Sequence, residues 1–270
     1  MSRLSDTKGD DWKGLANDYE RLTKETANRP IEAMLTRANA LLPFAQATGI
    51  LDNGCGPGPI MARLLRDYDV PETCSLTCSD FSEPMIEQVK KRKDKATAED
   101  GSSPWARVEA KVLNAMELEG VKDSSMSHIT AGWVYFMVPE PAKALSESLR
   151  VLKDDGVLSC SSWEGSQWID LMHLAARIRP DKTMPEMPKD WSNVDLLRGQ
   201  LEQAGFREVE AHRVETSMAF DTRDKLVDML LNVMPPMVSP SSSPLLRRLT
   251  MCDECRSSNY RISRRKSGRG

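Results

Sequence analysis

Between residues 49 and 163, short apolar runs alternate with longer amphipathic stretches. That alternation predicts a parallel sheet with helices on both faces. The first run, GILDN from Gly49, reads as a strand and passes straight into a glycine-rich turn, Gly54-Cys55-Gly56-Pro57-Gly58. A helix follows to about Asp67. SLTCSD reads as the second strand and ends at Asp80. Ser82 is placed to cap the next helix, and Pro84 sits in its first turn, where a missing N–H costs little. Met85, Ile86 and Val89 give that helix its apolar face. The third strand is expected near Ala106 to Val112 and the fourth near Ser127 to Trp133. A helix from Pro141 to Leu152 follows, and Asp155-Gly156 turns into a fifth strand, VLSCSSW. Upstream, Asp11 to Asn28 and Ile31 to Ala47 read as two helices parted by Asn28-Arg29-Pro30.

Beyond Trp163 the texture changes. Trp168 to Arg179 reads as helical, and a proline-punctuated loop, RPDKTMPEMPKDW, follows. Val194 to Ala204 reads as a helix stopped by Gly205. Phe206 to Phe220 has the texture of two strands, and Asp221 to Met234 that of a last helix ended by Pro235-Pro236. No internal repeat is visible.

Composition narrows the classes. Hydrophobic residues make up 40% and charged residues 29% of the 270, a globular balance that excludes a wholly disordered chain. No apolar run reaches the roughly 18 residues of a membrane span. The first residues, MSRLSDTKGDDWKG, lack the apolar core of a secretory signal, so a cytoplasmic protein is expected. The net charge of -3 is unevenly spread, because the last 24 residues are strongly basic and the rest is acidic. An acidic body argues against nucleic acid as the main partner. The basic end, RISRRKSGRG, reads as a solvated terminus. The six cysteines are expected as reduced thiols. Cys252 and Cys255 form a lone C-x-x-C with no second pair and no histidine nearby, which is poor support for zinc, and no metal site is expected.

The turn after the first strand carries the chemistry. Its glycines let a ligand approach the backbone, and the helix that it opens offers free N–H groups to an anion. A dinucleotide fingerprint, G-x-G-x-x-G, is not met: the third glycine comes one residue early and Pro59 holds the required place. No Gly-Lys-Ser/Thr follows, which removes a phosphate-binding P-loop. Asp80, at the end of the second strand, is placed to accept both hydroxyls of a ribose. Asn114-Ala115-Met116 follows the third strand, where an amide can hydrogen-bond an adenine edge.

With these pieces in order, the chain resembles the class I S-adenosylmethionine-dependent methyltransferases. Within them it looks most like the small fungal methyltransferases of secondary metabolism, a group that includes thiol methyltransferases acting on dithiol diketopiperazines. The resemblance runs from about Trp12 to Met234 and rests on ILDNGCGPG, CSDFSEPMIEQ and SLRVLKDDGVLSCSSW. It implies an α/β, Rossmann-like, doubly wound and mostly parallel seven-stranded sheet with an N-terminal helical lid. The lid would be residues 1–48 and the methyltransferase domain 49–234, with a substrate-side insertion near 164–192. Residues 235–270 would be an irregular basic tail, where relatives have a helix-rich end.

The resemblance implies S-adenosylmethionine as cofactor and a small molecule as partner, with no nucleic acid and no membrane. It places Asp52, Gly54, Gly56 and Gly58 around the methionine and ribose, and Asp80 on the ribose hydroxyls. Phe81 and Met85 lie beside the adenosine, and Asn114, Ala115 and Met116 near adenine. Many members carry Asp where this chain has Asn114, whose amide oxygen is expected to accept from the adenine amine. Tyr19, on the first helix, is expected over the cofactor. Trp133, Phe136 and Met137 follow the fourth strand and Trp163 the fifth, on the crevice side, and are read as a substrate wall. No catalytic base is assigned. His128 lies at the wrong end of its strand, His212 falls late, and His173 is the one candidate base, although a structural histidine is the better reading for each. A thiol or amine acceptor is therefore expected, because a methyl on a positive sulfonium needs mainly an aligned nucleophile. Two rival readings are a non-methylating cofactor-binding protein on the same fold, either pericyclase-like or an interaction partner, and an NAD-dependent reductase. Pro59 and the lack of a Tyr-x-x-x-Lys pair disfavour the reductase.

Overall fold

The computed structural model describes residues 16–165, 167, 170, 188–217, 220 and 222–228. The expected strands form. β1 is Gly49–Asn53, β2 Ser75–Asp80, β3 Val108–Val112, β4 Met126–Gly132 and β5 Leu152–Ser161. They make one parallel sheet in the order β3-β2-β1-β4-β5. All five residues of β1 are buried, as a strand covered on both faces requires. The chain winds outward from β1 to β3 and then returns to β4 on the other side of β1. The carboxyl ends of β1 and β4 therefore flank the point where the winding reverses, and such a crevice is where open α/β sheets bind ligands.

The seven-stranded expectation is corrected to five strands among the described residues. Residues 206–217 carry no strand, although two were expected there. Alternating apolar positions in a short segment make a strand only when a neighbour supplies the ladder, and here no pairing forms. β5 starts at Leu152 rather than near Val157, and a register irregularity between Met126 and His128 absorbs the difference.

The helices are α1, Ala16–Leu41; α2, Pro59–Asp67; α3, Glu83–Glu99; α4, Pro141–Val151; α5, Val194–Gln203; and α6, Arg223–Asp228. Two helices were expected where α1 runs unbroken through Pro30. Proline removes the bond to the carbonyl four residues back, that of Thr26. The hydroxyl of Thr216 donates to that carbonyl at 2.6 Å, so the orphaned group is satisfied from outside the helix. The second half of α1 belongs to the core. Ile31, Met34, Leu35 and Ala38 are buried with Phe44, Ile50 and Met61, and Ser159 of β5 donates to the Met34 carbonyl at 3.2 Å. Part of the expected helical lid, residues 1–48, thus contributes to the core, and residues 1–15 lie outside the described ones.

Asn193 caps α5 by accepting from the N–H groups of Asp195 and Leu196, and Gly205 beyond its end takes φ +103° as expected. The expected helix at 168–179 and the tail from 235 lie outside the described residues.

Candidate active site

The site is assembled from the turn after β1. Gly54, Gly56 and Gly58 all have positive φ. Two of them show why other residues do not serve. A Cβ on Gly54 would lie 2.4 Å from Val134 Cγ2, so the turn is packed hard against the chain leaving β4. A Cβ on Gly56 would meet nothing within 4 Å. At Gly56 the backbone faces open space, and a side chain would occupy the place of a ligand.

Asp80 ties the turn to α3. Its Oδ2 accepts from Gly56 N at 2.8 Å and its Oδ1 from Ser82 N at 2.9 Å. Ser82 stands at the helix N-cap without the side-chain cap bond expected of it, and its own backbone N–H is the one that Asp80 holds. Burial raises the Asp80 acid above the ordinary carboxylate range, and the N–H donors of Ser82 and Gly56 pull it back down. A carboxylate held this way retains lone pairs for ribose hydroxyls.

A cavity of about 2420 Å³ opens over the turn. It brings together Gly54, Gly56, Asp80, Phe81 and Met85 from the β1 and β2 side. Leu113, Asn114, Ala115 and Met116 line it after β3, and Trp133, Phe136, Met137 and Trp163 after β4 and β5. The indole rings of Trp133 and Trp163 stack, with centroids 5.6 Å apart and planes at 29°. Trp133 is held at φ +59°, a costly conformation for a bulky residue. Its backbone N–H donates to both the carbonyl and the hydroxyl of Ser161 at 3.2 Å, which ties the chain at Trp133 to β5.

Two expected site residues are placed elsewhere. Asp52 is fully buried beneath the turn and takes no part in the cavity wall. Gly58 faces Val89 and Trp105 rather than the cavity, so its role is packing of the turn on α3. The side chain of Tyr19 and the whole of His173 lie outside the described residues. His128 is structural, as expected. Its Nε2–H donates to the Leu42 carbonyl at 2.9 Å, and its Nδ1 lies 2.9 Å from the Ser127 hydroxyl. His212 reaches the cavity rim but sits 3.2 Å from Glu210.

The sequence reading missed Asn53, Met34 and Arg37, which also line the cavity. Asn53 is buried, with its Oδ1 accepting from the Ser79 hydroxyl at 3.4 Å and its side chain beside the Tyr135 hydroxyl. Alternation along β1 was the available signal, since Asn53 and Asp52 point to opposite faces. Met34 and Arg37 carry no local signature. They reach the site only because α1 crosses the sheet there.

The open ground over Gly56, the buried acceptor at Asp80 and the apolar seats at Phe81 and Met85 fit a nucleoside cofactor bearing an amino-acid tail. A family profile described as a methyltransferase domain matches residues 51–160. The chain is 43% identical over 234 residues to the methyltransferase ucsB of an Acremonium species, covering 86% of this chain and 81% of that one. It is 26% identical over 196 residues to an acetylaranotin bis-thiomethyltransferase of Aspergillus terreus, covering 69% and 64%. A solved S-adenosylmethionine-dependent methyltransferase of Aquifex aeolicus shares the fold at a TM-score of 0.51 and 19% identity, covering 71% and 88%.

Proposed function

The chain belongs to the S-adenosylmethionine-dependent methyltransferases, and on that premise we propose that it methylates a small molecule of fungal secondary metabolism at a thiol or amine. The observation that carries the proposal is the continuity of the cavity. One cavity is lined by Gly56 and Asp80 and also by Trp133 and Trp163. The cofactor supplies a methyl group already activated on a positive sulfonium. What remains for the chain is to hold an acceptor in line and exclude water.

In this reading Gly54, Gly56 and Asn53 hold the methionine end, and Asp80 holds the ribose. Phe81, Met85 and the segment Asn114–Met116 hold the base. Tyr19 and the start of α1 cover the cofactor, in keeping with the position of Met34 on the same helix at the cavity edge. The catalytic unit spans 49–234, with the acceptor-side insertion at 164–192, and a basic tail follows it in sequence. The four described cysteines are free thiols, which accords with a cytoplasmic enzyme.

The acceptor class is argued from the rim. Glu164 is held by Arg213 and by the Val194 N–H, and Glu210 is shared by His212 and Arg37. Burial pushes the Cys160 thiol up to about 12, which removes it as a base at neutral pH. A thiol needs no such base, because part of it is thiolate near pH 7. The relative from Aspergillus terreus, named for thiol methylation, supports the same reading.

The test is transfer of labelled methyl to acceptors sharing one carbon frame but bearing a thiol, an amine or a hydroxyl. Preferential turnover of the thiol or amine is expected, with a pH–rate profile that follows the ionisation of the acceptor. Preference for the hydroxyl would overturn the proposal.

A further inference from the structure

The chain leaving β5 is tied at each residue from Ser161 to Glu164. Ser161 takes the backbone N–H of Trp133. The Ser162 hydroxyl donates to the Trp191 carbonyl at 2.5 Å, and the Trp163 ring stacks on Trp133. Glu164 accepts at both carboxylate oxygens. Its Oε2 takes Arg213 Nε, and its Oε1 takes Arg213 Nη2 at 3.0 Å and the Val194 N–H at 3.3 Å. The guanidinium thus grips the carboxylate with two N–H groups, an arrangement that fixes direction as well as charge. Ser162 anchors the chain on one side of Trp163, and Glu164 anchors it on the other.

An exposed ion pair adds little to folding stability, because water solvates the separated charges nearly as well. The Arg213 side chain is 64% exposed and that of Glu164 35%. What such a pair can fix is position. It joins three segments that line the cavity: the end of β5 with its tryptophan, the start of α5 at Val194, and residues 206–217 at Arg213. The third of these carries no strand to hold it in place. We propose that Arg213 is a positioning residue for the acceptor, acting through Glu164 to hold Trp163 stacked on Trp133. The proposal rests on the reading of those two rings as the acceptor wall. Nothing local marks the pair in the sequence, since its members stand 49 residues apart.

Two stacked indoles couple their electronic transitions, so the pair gives a circular-dichroism couplet in the far-ultraviolet indole band, identified as the signal that Trp163→Phe removes. The acceptors are thiophenol, aniline and phenol, one frame with three nucleophiles, and KM is read on the one turned over fastest. Arg213→Met should lose most of the couplet and raise that KM by about threefold to tenfold, with kcat within about twofold and S-adenosylhomocysteine affinity unchanged. Its thermal midpoint should stay within about 3 °C of the native value. Glu164→Gln should behave alike and add nothing to Arg213→Met in the double variant, because each removes the same link. Arg213→Lys, which restores the charge and one hydrogen bond, should recover part of both signals. A couplet retained in Arg213→Met would overturn the proposal, and so would a couplet lost with KM unchanged. Fastest turnover of phenol would overturn the acceptor class proposed above and leave this inference standing.

Discussion

Asp52 lies near the end of β1. Its Oδ1 accepts from the Thr130 hydroxyl at 2.8 Å, and the backbone N–H of Met61 also favours its charged form. Burial pushes this acid up to about 7, and the nearby carboxylate of Asp80 adds to the rise. An acid raised in the folded chain keeps its proton at pH values where the unfolded chain has released it. Its stabilising contribution is therefore complete below the ordinary carboxylate range and is lost as pH rises through about 7. Asp52→Asn removes the titration and keeps an acceptor for Thr130. Without cofactor, the native chain should lose thermal stability relative to this variant as pH is raised from about 4 to 8. A stability gap independent of pH, measured by thermal unfolding across that range, would contradict the assignment. Asp52 was legible in the sequence as part of the glycine-turn motif, but its direction was not. The face to which a strand residue turns depends on what covers the sheet, and that is settled only when the helices pack.

Among the elements, α1 departs furthest from its sequence. Pro30 marks a break by every local rule, yet the helix continues. The unpaired Thr26 carbonyl finds the Thr216 hydroxyl, 190 residues away in sequence. A buried carbonyl without a partner costs about 1–3 kcal/mol. Thr216→Val should accordingly destabilise the chain by about 1–2 kcal/mol in denaturant unfolding. In a Pro30→Ala background the helix supplies its own N–H, and the same substitution should cost less than half as much. Equal costs in the two backgrounds would show that Thr216 does not stand in for the missing helix bond. The double-mutant cycle isolates this coupling because each single change removes one of the two partners.

Across the molecule, the cavity divides between two parts of the sheet. The β1–β2 side and the start of α3 carry its polar end through Gly56 and Asp80, while the chain after β4 and β5 carries the tryptophan wall. The two ends should fail separately. Asp80→Ala removes charge-assisted hydrogen bonds, each worth about 1.5–3 kcal/mol, and should cost S-adenosylhomocysteine affinity at least tenfold. Trp163→Ala should leave that affinity within about twofold and instead raise KM for the acceptor, since the lost ring is wall and not cradle. Calorimetry on both variants decides the matter. Comparable loss of cofactor affinity in Trp163→Ala would mean that the wall holds the cofactor itself.

The sequence by itself determined the fold class, the places of five strands along the chain and the glycine turn that follows the first of them. These follow from short-range signals: apolar runs, the glycine turn, an aspartate ending β2 and an asparagine after β3. Each acts within a few residues of its own position, so local pattern suffices. Only the tertiary structure decided which strand residues face the crevice, that Asp52 and Gly58 lie off the cavity wall, and that α1 bridges its proline. Those outcomes depend on partners brought from elsewhere in the chain: Val134 against Gly54, Thr216 against Thr26, Ser161 under Trp133. Hydrophobic pattern fixes where a chain turns and folds over, whereas hydrogen-bond satisfaction in the packed interior fixes what each polar group has left to offer.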